Sequence, residues 1–112
     1  MKDQGRLVEV DGAIFDQELL KLAFGFDALD VVGRESFVNH MHFDGKDRVS
    51  SANSIVENWK LELLERWPSS TFRLYWHNNQ DEIIIRFHRV HSGIPNWCDE
   101  SSPDLQITEI ST

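Results

Sequence analysis

The segment FRLYWHNNQDEIIIRFHRVH, positions 72–91, constrains the fold more than any other part of the chain. Alternation of apolar and polar residues on both sides of NNQD predicts two antiparallel strands. With NNQD as the bend and His77 facing Glu82, Phe72, Leu74 and Trp76 lie across from Phe87, Ile85 and Ile83. All six then share one face, which must be buried against something. The opposite face carries Arg73, Tyr75, His77, Ile84, Arg86 and His88. This register sets Arg73 opposite Arg86, and directly facing like charges are unfavourable. An anion is therefore expected nearby, from an internal carboxylate, a covering segment or a ligand.

What the hairpin packs on is written just before it. SSANSIVENWKLELLERW repeats apolar residues at helical spacing through Ile55, Val56, Trp59, Leu63 and Trp67. Ser50 or Ser51 can cap this helix near 51–67, and Pro68 ends it. Upstream, SFVNHMH alternates as a strand near 37–43 would, and Asp44-Gly45 supplies a turn. RLVEVDGAIF reads as a strand with an Asp11-Gly12 turn. Asp16 can then cap a helix, stapled by Phe15 and Leu20 and ending at Gly25 or extended through FDALDVV. The expectation is one α+β domain over residues 1–112, an antiparallel sheet packed on one or two helices. Trp59, Leu63, Trp67, Phe72, Leu74, Trp76, Ile83, Ile85 and Phe87 form much of the expected core.

At 112 residues a chain can bury a core without disulfides or metals. The single cysteine, Cys98, has no internal partner, which fits a reducing, cytoplasmic compartment. No apolar leader or spanning segment is expected, because charged residues interrupt every candidate window. The formal net charge is −8, and Asp99, Glu100, Asp104 and Glu109 supply half of it from residues 91–112, which hold no Lys or Arg. Such a field repels nucleic acid and anionic membranes and speeds encounter with a basic partner.

Chemistry is sparse. His40 and His42 on one strand face, His77, His88 and His91 on or beside the hairpin, and a carboxylate such as Asp44 do not match a zinc spacing. Cys98 stands in NWCDE, where Asp99 and Glu100 disfavour a thiolate. No phosphate-binding or nucleophile-elbow motif occurs. The reading is a non-enzyme that needs no metal or cofactor. The remaining oddity is HSGIPNWCDESSPDLQITEIST, a turn-rich acidic segment with Trp97 inside it and an edge strand near Leu105–Ile110. Trp97, Asp99, Glu100 and Asp104 are the candidate partner-binding residues: an aromatic anchor among acids. Arg73, Tyr75 and Arg86, on the second hairpin face, are secondary candidates.

In layout, IVENWKLELLERW leading into FRLYWHNNQDEIIIRFH, then the acidic WCDESSPD loop, resembles the small bacterial immunity proteins of contact-dependent growth inhibition and polymorphic toxin systems. That resemblance implies an inhibitor that occludes the basic active site of a toxin, such as a nuclease domain. Size, acidity and helix-then-strands order also resemble small acidic secretion chaperones, which act as homodimers. A third reading, an enzyme or metal protein, would be built around His40, His42 and His88.

Overall fold

A computed structural model describes residues 6–112. These described residues form an α+β domain with two antiparallel sheets and three helices. The first sheet is the hairpin of β1 (Leu7–Val10) and β2 (Ala13–Asp16). Asp11 and Gly12 both take positive φ, 52° and 85°, as a tight turn of the primed type requires. Helix α1 (Gln17–Leu22) follows without a linker, because the Asp16 carboxylate accepts from the amides of Glu18 (3.0 Å) and Leu19 (3.2 Å).

The next element departs from the expected strand. Residues 31–38 form a helix, α2 (Val31–Val38), whose N-cap Asp30 accepts from the Gly33 amide at 2.7 Å. Val32, Glu35, Ser36 and Val38 are its buried residues, a helical spacing that hides within the apparent alternation of SFVNH. Asn39 breaks the helix at φ −88° and ψ 57°. The strand β3 therefore begins only at His40 and runs to Asp44.

Helix α3 (Arg48–Arg66) starts before the expected serines, from Asp47. Ser50 instead sits in its first turn and donates to the Asp47 carbonyl at 3.2 Å. Strands β4 (Phe72–Asn78), β5 (Glu82–Arg89) and β6 (Leu105–Ile110) complete a second sheet of order β3-β5-β4-β6.

The hairpin register needs a correction. The pairs are Leu74↔Phe87, Tyr75↔Arg86, Trp76↔Ile85 and His77↔Ile84, so His77 does not face Glu82. The cause lies in Asn79, whose side-chain oxygen accepts from the amides of Asp81 (3.2 Å) and Glu82 (3.0 Å). That side chain tightens the bend around Gln80 and Asp81 and slides the strands by two residues. A slip of two preserves the faces. Arg73 no longer opposes Arg86; it pairs with His88.

One sheet face packs on α3 and the β1–β2 hairpin. Trp59, Leu63, Phe72, Ile83, Ile85 and Phe87 are fully enclosed there, with Leu7, Ile14 and Ile110 around them. Trp67 and Trp76 are only partly buried, packed against this cluster rather than inside it. A second cluster of Ala13, Phe15 and Val38 receives Leu20, as the expected staple requires. Among the described residues no helix is long and apolar enough to cross a membrane.

Candidate functional site

The second face of the four-stranded sheet presents Arg73, Tyr75, Arg86 and His88 in neighbouring positions. Of the arrangements the sequence leaves open for this face, the structure has the covering segment. Residues 91–100 cross over it and are tied down at both ends.

The first tie is His91. Its Nε2 lies 2.7 Å from Oε1 of Glu35, a carboxyl group with no exposed surface. The amides of Ile14 (2.6 Å) and Arg89 (3.3 Å) donate to the same carboxyl group. A turn from His91 to Ile94 follows, closed by a 3.2 Å backbone bond, with Gly93 in the left-handed region at φ 79°.

The second tie is Tyr75, itself only 1% exposed. Its hydroxyl lies 2.8 Å from Nε2 of His88 and 3.1 Å from the Cys98 carbonyl, and accepts from the Cys98 amide at 3.3 Å. Nδ1 of His88 donates to the Arg89 carbonyl at 2.9 Å, so Nε2 is the acceptor nitrogen. Burial pushes the His88 imidazole below its ordinary pKa and the Tyr75 phenol above its own. Both stay neutral, which suits a buried anchor.

Between the ties, Trp97 lies edge-on to Tyr75 at 4.9 Å, with the Arg86 guanidinium 4.3 Å above its ring. Arg86 is fixed in turn by donation to the Ser36 carbonyl of α2 at 2.7 Å. The indole still keeps 44% of its surface exposed. Arg73 donates to the Cys98 carbonyl (3.0 Å) and to Asp99 (3.3 Å), and Glu109 lies 3.8 Å away. The anion expected near Arg73 is thus supplied by the covering segment and by β6. Asp99 nonetheless remains 67% exposed at its side chain.

The four primary candidates therefore divide. Trp97 and Asp99 are exposed and held in place, Glu100 is exposed on the same loop, and Asp104 stands on the turn into β6, where its carbonyl accepts from Asn78 at 2.8 Å. Arg73, Tyr75 and Arg86 are supports beneath the loop, not an open surface. The histidines do not gather into one site, although the His40 and His42 rings lie 5.2 Å apart. His42 pairs with Glu82 at 2.8 Å, His40 contacts the Phe37 carbonyl at 2.6 Å, and His88 is enclosed. Among the described residues no three metal-ligating side chains converge.

Glu35 escaped the sequence reading, because an acid in VGRES looks like any exposed helical residue. Burial raises its carboxyl pKa to about 8, against the pull of the Ile14 and Arg89 amides. His91 is pushed below its ordinary value, also by burial. Burial thus favours the uncharged pair, a protonated carboxyl beside a neutral imidazole. The linkage has a definite sign. Native Glu35 keeps a proton that unfolded Glu35 releases from 4.5 upward, so this contribution to stability falls as pH rises to about 8. The depressed histidines 40, 88 and 91 act oppositely, but only up to their unfolded value of 6.5. The unfolding free energy from urea titration, and with it the midpoint, should therefore fall from pH 6.5 to about 8, the free energy by up to ~1.4 kcal/mol per pH unit from one proton. Glu35→Gln should flatten that slope, and a wild-type midpoint that rises over this range would contradict the assignment.

Comparison with protein-family models, curated proteins and solved structures gave no match for this chain.

Proposed function

We propose that this chain is a stoichiometric inhibitor of a basic protein, a toxin nuclease domain, and blocks access to its substrate site. The observation that carries this reading is Trp97, a half-exposed indole clamped between Arg86 and Tyr75 at the head of an acidic loop. An anchor already held in its bound pose forfeits little side-chain entropy on association. Asp99, Glu100 and Asp104 would meet lysines or arginines that the nuclease uses for phosphate, and the charge of −8 steers the encounter. The layout resemblance to bacterial immunity proteins supports the same reading. Such an inhibitor turns nothing over, needs no metal or organic cofactor, and works in the cytoplasm.

The partner is sought first among proteins encoded beside this chain. With that nuclease purified, the variant Asp99→Asn, Glu100→Gln, Asp104→Asn should associate more slowly and show a flatter salt dependence. Its fold should be unaffected, since the three acids are exposed and Asn at position 99 keeps a side-chain oxygen to accept from Arg73 and Asn96. Association as fast as the original at every salt concentration would remove the acidic loop from the interface.

The chaperone reading draws on a separate observation, the exposed apolar side chains of Leu22 and Phe24. A stable homodimer in sedimentation would favour it; a monomer favours the inhibitor.

A further inference from the structure

At one edge, apolar surface is left uncovered among the described residues. Leu22 and Phe24 are 76% and 84% exposed, and Phe37 is 43% exposed. With Leu19, Ala23, Val38 and His40 they line an apolar cleft of about 280 Å³. Clustered exposure of this kind marks an interaction site more often than isolated apolar residues do.

The cleft adjoins an open strand. The order β3-β5-β4-β6 leaves β3 outermost. The Asn39 carbonyl accepts from the Phe87 amide of β5 at 3.2 Å. Alternation then turns Met41 and Phe43 toward β5 and leaves the backbone groups of His40, His42 and Asp44 facing outward. His40 belongs to both features: it opens β3 and lines the cleft.

We propose that this edge receives an extended segment of a basic protein, which adds to β3 as a further strand and sets an apolar side chain into the cleft. Backbone pairing would supply affinity and the cleft would select the side chain, as in other strand-addition sites. Charge decides the occupant. The segment after Phe24 carries exposed Asp27 and Asp30, β3 ends on exposed Asp44, and Glu82 faces Asp44 from β5. Lys21 is paired with Glu18 at 3.2 Å. Arg34, which donates to the neutral Leu29 carbonyl at 2.8 Å, and Lys46 and Arg48, just past Asp44, remain cationic against the five acids Asp27, Asp30, Asp44, Asp47 and Glu82. A second copy would bring the same acids and a net charge of −8 against −8. A segment with basic residues between apolar ones meets both the charge and the cleft. This site shares no residue with the acidic loop, and its test needs no cognate nuclease.

The probe is the synthetic peptide Lys-Leu-Lys-Phe-Lys-Leu-Lys, titrated into the isotopically labelled full chain. Its control has the same composition in blocks, Lys-Lys-Lys-Lys-Leu-Phe-Leu. The alternating peptide should bind at least roughly tenfold more tightly. Its amide shifts should centre on His40, His42, Asp44, Phe24 and Phe37. N-methylation of one alternate set of peptide amides should weaken binding roughly tenfold, and methylation of the other set should not. The variant Leu22→Ser, Phe24→Ser changes only exposed side chains and should lose binding while keeping the spectrum of the fold. No saturable binding, equal binding of the block peptide, indifference to both methylation patterns, or shifts centred elsewhere would overturn the proposal. A concentration-dependent dimer that disappears in the double variant would overturn it in favour of a second copy.

Discussion

Replacing Asp16 with Ala is expected to cost about 3–5 kcal/mol of folding stability, a large share of what a domain this size has. Few side chains here collect more of the fold. Its carboxylate has no exposed surface and caps α1 through the amides of Glu18 and Leu19. It also accepts from the Trp59 indole at 2.9 Å and from the Arg6 guanidinium. Its own backbone amide donates to Asn39 at 2.8 Å, and Asn39 donates in turn to the Ile14 carbonyl at 2.8 Å. One carboxylate thereby joins β2, α1 and α3, while Asn39 joins β2 to the α2–β3 junction. Truncation strands the indole N–H in the core and removes the cap together, so the losses compound. Asp16→Asn keeps an oxygen for the cap but offers a second donor to the indole, and should cost less. Urea unfolding of the two variants measures the difference; a cost below about 1 kcal/mol for the Ala variant would refute the role assigned to Asp16.

Trp59→Ala is expected to be of similar size, about 3–5 kcal/mol, for a different reason. The indole has no exposed surface and packs edge-on against Phe87 at 4.7 Å, so truncation opens a cavity between α3 and the sheet. It also removes a donor from Asp16. Alternation in the hairpin assigns the same importance to Trp76, but that ring is only partly buried. Trp76→Ala should therefore cost clearly less than Trp59→Ala. If the order were reversed in matched unfolding experiments, the packing of α3 on the sheet would be misassigned. Combining Asp16→Ala with Trp59→Ala should give less than the sum, since each variant already breaks the bond between them.

Local chemistry explains which parts of this fold were legible in the sequence. Asp11-Gly12, the Asp16 cap and the stripe from Val56 to Leu63 each specify an element through residues a few positions apart, and each formed as expected. The hairpin faces were legible for the same reason. Its register was not, because the bend depends on how the Asn79 side chain folds back on two amides. The end of helix α2, Phe37 and Val38, carries a strand pattern because Phe37, Asn39, Met41 and Phe43 alternate across the helix end that Asn39 sets. The Glu35–His91 pair was invisible, as its partners lie 56 positions apart and neither residue type is unusual where it stands.

The candidate site divides along the same line. Composition singled out Trp97 among its acids. What composition could not convey is that Tyr75, Arg73 and Arg86 are the framework beneath that loop. Their polar groups are spent on Cys98, Asp99 and Ser36, contacts between segments distant in the chain. Polar residues on a sheet face advertise an open surface and a covered one equally well. Only the path of residues 91–100 distinguishes the two.

On the proposed inhibitory role, the loop bearing Trp97 is the surface that a basic partner covers. Amide hydrogen exchange of the full chain, with and without the purified nuclease, tests this most directly. Binding should slow exchange across residues 96–104 and leave the amides of α3 unchanged. Slowed exchange confined to other segments, with residues 96–104 exchanging as in the free protein, would contradict it.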